Sequence, residues 1–267
     1  MTGPCELGGR GVLVTRPAAQ ARELCRLIEA AGGRPIEFPS LEIRPPRDPD
    51  GARELLRAPR DLVIFISRNA VGHALALLSE PGAAIGVSGP GQPRPRLAAV
   101  GRATAAAMVQ AGLTPDLVPD TGFDSESLLA LPALKRVGGK QVLIVRGEGG
   151  RAMLGETLAH RGAEVVYAEV YRRAVPETDA SELIPEWQRS LGFVTATSDE
   201  VLINLLAMVP ISAHRWLRAV PLAVLSERNA AKAMELGFRV VAVANEPSDA
   251  GLCEALCRLL LNAPSAS

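Results

Sequence analysis

Short apolar runs rich in β-branched residues alternate with longer Ala- and Leu-rich stretches almost from end to end of the chain. Short apolar runs bounded by turn residues suit buried strands, and the stretches between them carry helical spacing. The strands expected are Gly11–Thr15, Leu62–Ile66, Leu97–Val100, Gln141–Val145, Phe193–Ala196, Pro221–Val224 and Arg239–Val243. Nearly every one is followed by a helix pattern, so the expected fold class is α/β, with parallel sheets flanked by helices. In the helix expected from Ala18 to Ala31, Leu24, Leu27, Ile28 and Ala31 share one stripe, and Gly32-Gly33 stops it. Gly112, Gly162 and Gly237 are similar stops. The Gly- and Pro-rich segment Glu80–Pro95 reads as a flexible surface loop outside any site, and the tail Asn262–Ser267 as disordered.

One plan occurs twice. LVTR ending at Arg16, with a helix stopping at Gly32, returns as LIVR ending at Arg146, with a helix stopping at Gly162. FIS ending at Ser67 matches ATS ending at Ser198. AVG at Gly101, with a helix to Gly112, matches AVLS at Ser226, with a helix to Gly237. Two long extended segments, Pro35–Pro45 and Ala163–Pro176, follow equivalent helices and break the alternation. If each crosses from one domain to the other, the domains are discontinuous and joined by a two-stranded β connection, a natural hinge for closing on a ligand. Periodicity alone also allows a single continuous sheet.

At 267 residues and 48% hydrophobic, the chain can build one large core or two small ones. Its 29 basic residues balance 29 acidic ones, so no global field draws it to nucleic acid or to an anionic membrane, and any anion must be met locally. Lysine occurs only at 135, 140 and 232, the other basic residues being Arg. Cys5, Cys25, Cys253 and Cys257 make no C-x-x-C pair, and Cys253 and Cys257 read as small packed hydrophobes. With no apolar leader and no membrane-length apolar stretch, the expected location is a reducing cytoplasm. His73, His160 and His214 lack metal-ligand spacing, so no metal is expected.

In open parallel sheets ligands bind beyond the carboxyl ends of the strands, where helix N-termini point. The residues there are Thr15 and Arg16; Ser67, Arg68 and Asn69; Gly101 and Thr104; Arg146, Gly147 and Glu148; Thr197 and Ser198; and Ser226 and Arg228. Small hydroxyl and Gly residues let backbone amides approach an anion, and the helix dipole favours negative charge there. Taken singly, Ser67, Ser198 and Ser226 are simply helix caps. No nucleophile elbow, H-E-x-x-H or P-loop occurs. Gly147-Glu148-Gly149-Gly150-Arg151-Ala152 fits G-x-G-x-x-A after a strand, with Glu169 near the place of a ribose-binding acid. That is the signature of a nicotinamide-dependent oxidoreductase, but the matching slot, Arg16-Pro17-Ala18-Ala19, has no glycine fingerprint.

Across nearly the whole chain the ordered motifs resemble the uroporphyrinogen-III synthase family: VTRP at Val14–Pro17, FISRNAV at Phe65–Val71, AVGRATA at Ala99–Ala105, VRGEGGR at Val145–Arg151, EVYRR at Glu169–Arg173, TATS at Thr195–Ser198 and SERNAAKA at Ser226–Ala233. Ile66 and Ala70 stand where the family more often has Thr and Gly. The resemblance implies two similar discontinuous α/β domains, residues 1–38 with 173–267 and residues 39–172, with the active-site cleft between them. It implies closure of the linear tetrapyrrole hydroxymethylbilane to uroporphyrinogen III, with loss of water, inversion of the last pyrrole ring and no cofactor. The expected partner is thus a polycarboxylate small molecule, with no nucleic acid or membrane. A monomer in transient contact with the upstream bilane-forming enzyme is expected. Arg151 joins the expected substrate contacts. Tyr171 is the family-matched proton donor, since a phenol stays protonated at neutral pH; the alternative is a strand tyrosine packed at the domain junction. A non-catalytic ligand-binding or regulatory protein of this fold is the other alternative. Such relatives are expected to append a DNA-binding domain, whereas only a short tail follows Leu261.

Overall fold

The computed structural model describes residues 6–78, 85–86, 93–122 and 124–261. The chain runs through β1 (Gly11–Val14), α1 (Ala18–Ala30), β2 (Arg34–Glu37), β3 (Glu42–Arg44), α2 (Pro49–Arg57), β4 (Leu62–Phe65), α3 (Arg68–Leu77), β5 (Arg96–Ala99), α4 (Arg102–Gln110) and α5 (Ser125–Ala130). It continues through β6 (Gln141–Gly147), α6 (Met153–His160), β7 (Glu164–Ala174), α7 (Ile184–Ser190), β8 (Leu191–Ala196), α8 (Asp199–Met208), α9 (His214–Leu217), β9 (Leu222–Val224), α10 (Glu227–Glu235), β10 (Val241–Val243) and α11 (Asp249–Leu261). Residues 1–42 with 174–267 form one compact unit and residues 43–173 a second.

Each unit is built on a sheet of five strands, ordered β10-β9-β8-β1-β2 in the first and β3-β7-β6-β4-β5 in the second. Alternate residues of the central strands face opposite layers of helices. Val12 and Val14 pack with Leu24, Ile28, Leu252 and Leu256 of α1 and α11, while Leu13 packs with Leu202 and Leu205 of α8. In the second unit Val63 and Phe65 meet Val71 and Met108, while Ile64 meets Leu128 and Leu158. Burial on both faces is why these strands read as unbroken apolar runs. Full burial of each such side chain contributes about 1.5–3 kcal/mol.

The repeat seen in the sequence extends to strand register. Val14 pairs with Thr195 as Ile144 pairs with Ile64, and Ala196 pairs with Val224 as Phe65 pairs with Ala99. Even the outermost strand has a counterpart: Ala223 pairs with Ala242, and Ala98 forms a parallel bridge with Leu117. Gly32 and Gly162 follow equivalent helices at φ +68° and +85°, and Gly112 and Gly237 repeat this at +78° and +93°. A side chain is strained at such angles.

All seven expected strands are present, with ends that differ by up to two residues; β5 runs Arg96–Ala99 and β10 starts at Val241. The extended segment Pro35–Pro45 is two strands rather than one. Pro39 has no N–H to donate, and Ser40, fully buried, turns its N–H and hydroxyl to Thr15 O at 2.9 and 3.3 Å, with Val201 O also 2.9 Å from the hydroxyl. Hence β2 lies in the first sheet and β3 in the second, beside β7. Most of the loop expected at Glu80–Pro95, and the tail Asn262–Ser267, lie outside the described residues. Where that loop is described it is not wholly at the surface: Ile85 is 5% exposed in the core with Leu56 and Val63, and Gly86 N donates to Leu56 O at 2.8 Å.

Candidate functional site

In the second unit the parallel register sets the residues that follow β4, β5 and β6 side by side at one edge of the sheet. Ser67 caps α3, its Oγ accepting from Ala70 N at 3.1 Å, and Gly101 caps α4. The neighbouring strand β7 then slips: Arg146 pairs with Glu169, but Gly147 pairs with Tyr171. This bulge sets the Tyr171 ring over Gly147, as bulges beside functional sites commonly re-aim one side chain. The fit is close, since a Cβ on Gly147 would stand 2.6 Å from ring atoms of Tyr171. His73 of α3 packs on the ring with centroids 5.3 Å apart, and Ser67 Oγ lies 3.4 Å from Tyr171 Oη. The phenol, 2% exposed, lines a cavity of about 290 Å³ together with Ile66, Arg146, Gly147, Arg151 and Arg173.

Burial pushes the His73 imidazole below its ordinary value of 6.5. A depressed folded value means that this residue's contribution is complete above the unfolded pKa and is lost as pH falls through the folded one. Stability should therefore decline on acidification below about pH 6.5, and His73→Phe should flatten that part of the profile in urea titrations taken between pH 7.5 and 5.

Arg146 is 7% exposed although charged. Its guanidinium stacks over Tyr167, 4.9 Å from the ring centroid, and Nε donates to Gly147 O at 3.2 Å. Glu148 was expected to meet substrate, but its carboxylate accepts from Arg47 N at 2.6 Å and pairs with Arg47 Nε at 3.5 Å. It anchors the loop after β6 and also lines the cavity beside Tyr171. Arg68 and Arg151 are exposed and Asn69 is half-buried, whereas Thr104 is 6% exposed, inside the fold.

The first unit shows the same layout at the ends of β1, β8 and β9. Ser198 caps α8, accepting from Val201 N at 3.3 Å, and Ser226 caps α10, accepting from Asn229 N at 3.2 Å. Thr197 is half-buried beside Ser198. Three residues expected to contact substrate have partners within the protein. Thr15 is fully buried and donates to Thr195 O at 2.5 Å, so its hydroxyl ties β1 to β8. Arg16 is ion-paired with Asp249 at the start of α11, and Arg228 Nε pairs with Asp199 Oδ2 at 3.5 Å. Sequence reading named the strand ends but missed the partners: Asp249, Asp199, His73 and Tyr167. Each comes from a distant segment and carries no local motif.

Among the described residues no three His, Cys, Asp or Glu side chains cluster as metal ligands, and no helix is long and apolar enough to cross a membrane. Cys253 is half-buried against the first unit's core, and burial raises its thiol pKa, as expected of a packed cysteine, whereas Cys257, expected to be the same, is disulfide-bonded. The glycine fingerprint has another explanation. Gly147 makes room for Tyr171, and helix α6 begins only at Met153.

Residues 22–254 match the family described as uroporphyrinogen-III synthase HemD. The chain is 35% identical over 254 residues to the uroporphyrinogen-III synthase of Escherichia coli, covering 92% of this chain and 99% of that protein. It is 35% identical over 249 residues to the uroporphyrinogen-III synthase of Salmonella typhimurium, again covering 92% of this chain and 99% of that one. Among solved structures, a mutant uroporphyrinogen III synthase of Thermus thermophilus superposes with a TM-score of 0.59 at 19% identity, covering 94% of this chain and 99% of that one. The enzyme of Helicobacter pylori does so with a TM-score of 0.56 at 16% identity, over 96% and 99%. Those two likenesses carry the fold, and the sequence relatives carry the family. The repeated strand-end layout and a match spanning most of the chain therefore point to one conclusion: this protein belongs to the uroporphyrinogen-III synthase family.

Proposed function

We propose that this enzyme closes hydroxymethylbilane to uroporphyrinogen III, releasing water and inverting the last pyrrole ring. Full-length similarity to the Escherichia coli synthase is the observation that carries this reading. The substrate bears acetate and propionate groups all round. Backbone amides at the starts of α3, α4, α8 and α10, the hydroxyls of Ser67, Thr197, Ser198 and Ser226, and Arg146 and Arg151 are the contacts assigned to it. Many weak contacts that hold the chain folded orient its last ring for attack at the substituted carbon, and orientation alone is worth several kcal/mol.

Tyr171 is assigned the proton transfer. Its hydroxyl proton passes to the departing hydroxyl group, which leaves as water. The terminal ring then bonds through its substituted carbon. The bond joining that carbon to the bridge of the third ring breaks and re-forms at the ring's free carbon, and the proton lost from that free carbon restores the phenol. Ser67 Oγ, at 3.4 Å, helps aim the phenol.

Supplied with freshly generated hydroxymethylbilane and no added cofactor, the protein should yield the type III isomer. Spontaneous closure gives type I, so separation of the two isomers by chromatography after oxidation is decisive. A product that stays type I at high protein concentration refutes the reading.

A further inference from the structure

The Gly149 amide and Glu169 have no part in the reaction as assigned. Glu169 Oε1 accepts from Gly149 N at 3.3 Å and stands 3.8 Å from Arg146 Nε. A backbone N–H that donates and a guanidinium charge beside the same oxygen are what a carboxylate ligand needs. Both contacts are longer than the ~2.7–2.9 Å of a well-made charge-assisted bond. The Arg146 guanidinium is held in place without Glu169. The Arg146 side chain is 9% exposed, stacked on Tyr167 and bonded to Gly147 O. Glu169 is different, with a side chain 43% exposed. It also lines a neighbouring groove of about 930 Å³, into which it can swing and where Arg60 has a buried Nε with no acceptor among the described residues.

We propose that Glu169 is a built-in carboxylate that occupies an anion subsite made by Arg146 and the Gly149 amide, and that a ligand carboxylate binds there by displacing it. The proposal rests on the reading that the ligand is a polycarboxylate. In the unliganded protein Glu169 neutralises a buried guanidinium and holds the loop, where Gly149 and Gly150 sit at φ +71° and +99°. A ligand must compete with it, so its apparent affinity falls by the fraction of time the subsite is taken. A single weak carboxylate competes poorly. One that is tethered to others, with Arg151 and Arg173 lining the same cavity, competes well.

The test is calorimetric titration with uroporphyrin III and with propane-1,2,3-tricarboxylate. Glu169→Gln keeps an acceptor for the amide but removes the charge, and Glu169→Asp keeps the charge but shortens its reach. Both variants should bind each probe more tightly, Glu169→Gln by about tenfold if Glu169 holds the subsite roughly nine-tenths of the time. Adding Arg146→Met to Glu169→Gln should abolish the gain. Unchanged or weaker binding in both single variants, or a gain that survives Arg146→Met, overturns the proposal. The isomer assay is separate. Type III product with no gain in binding defeats only this inference, and type I product with the gain intact defeats only the assigned reaction.

Discussion

Tyr171→Phe is expected to lower turnover by about 10²-fold or more while leaving affinity for uroporphyrin III nearly unchanged, because a general acid acts in the transition state rather than in ligand binding. The substitution removes one oxygen from a ring that is already buried, so the packing of Phe65, Val145 and Tyr171 in the same core persists. Among the described residues, the side-chain hydrogen bond lost is the long one to Ser67 Oγ at 3.4 Å. Stability should therefore fall by less than about 1 kcal/mol. Single-turnover rates and urea titrations on the same preparation separate the two effects. Near-normal turnover with type III product would return Tyr171 to a packing role, with orientation of a reactive substrate sufficing.

Gly147→Ala is expected to damage both stability and activity, by a different route. The added Cβ would meet Tyr171 Cε2 and Cζ at 2.6 Å, and the ring is held on its other sides by His73 and Ser67. A buried aromatic ring cannot retreat without cost, and overpacking of this kind costs about 1–3 kcal/mol. Displacing the phenol also takes the proposed proton donor out of line, so turnover should drop by at least about tenfold with little change in probe affinity. A second change, Tyr171→Leu, should restore much of the stability but not the turnover. If Gly147→Ala is as stable and as active as the parent, the ring is not confined as described.

Much of the architecture was legible along the chain. Apolar runs such as Leu62–Phe65 announce strands covered on both faces, and Gly32, Gly112, Gly162 and Gly237 close helices at positive φ, where side chains are strained. These are local signals, set by burial and backbone sterics. The repeat was legible for the same reason, because two copies of one local plan share the order of strand, hydroxyl or glycine, and helix. The break of the extended segment Pro35–Pro45 into two strands was not legible, since Pro39 and the inward turn of Ser40 matter only once Thr15 and Val201 lie beside them.

The site was legible as a set of positions and not as a set of roles. Strand ends bearing Ser67, Ser198 and Ser226 follow from the α/β pattern, and each serine caps its helix. Whether an arginine or a hydroxyl there is available to a ligand depends on partners far away in sequence: Asp249 for Arg16, Asp199 for Arg228, Thr195 for Thr15 and Arg47 for Glu148. The slip between Arg146 and Gly147 that turns Tyr171 onto Gly147 belongs to the pairing of two strands, so neither strand's sequence contains it. By itself the sequence determined the family, the α/β plan, its duplication and the strand-end positions, because those arise from short-range burial and turn chemistry. Only the tertiary structure decided which of those side chains are paired within the protein, because charge pairing and close packing are settled between segments that folding alone brings together.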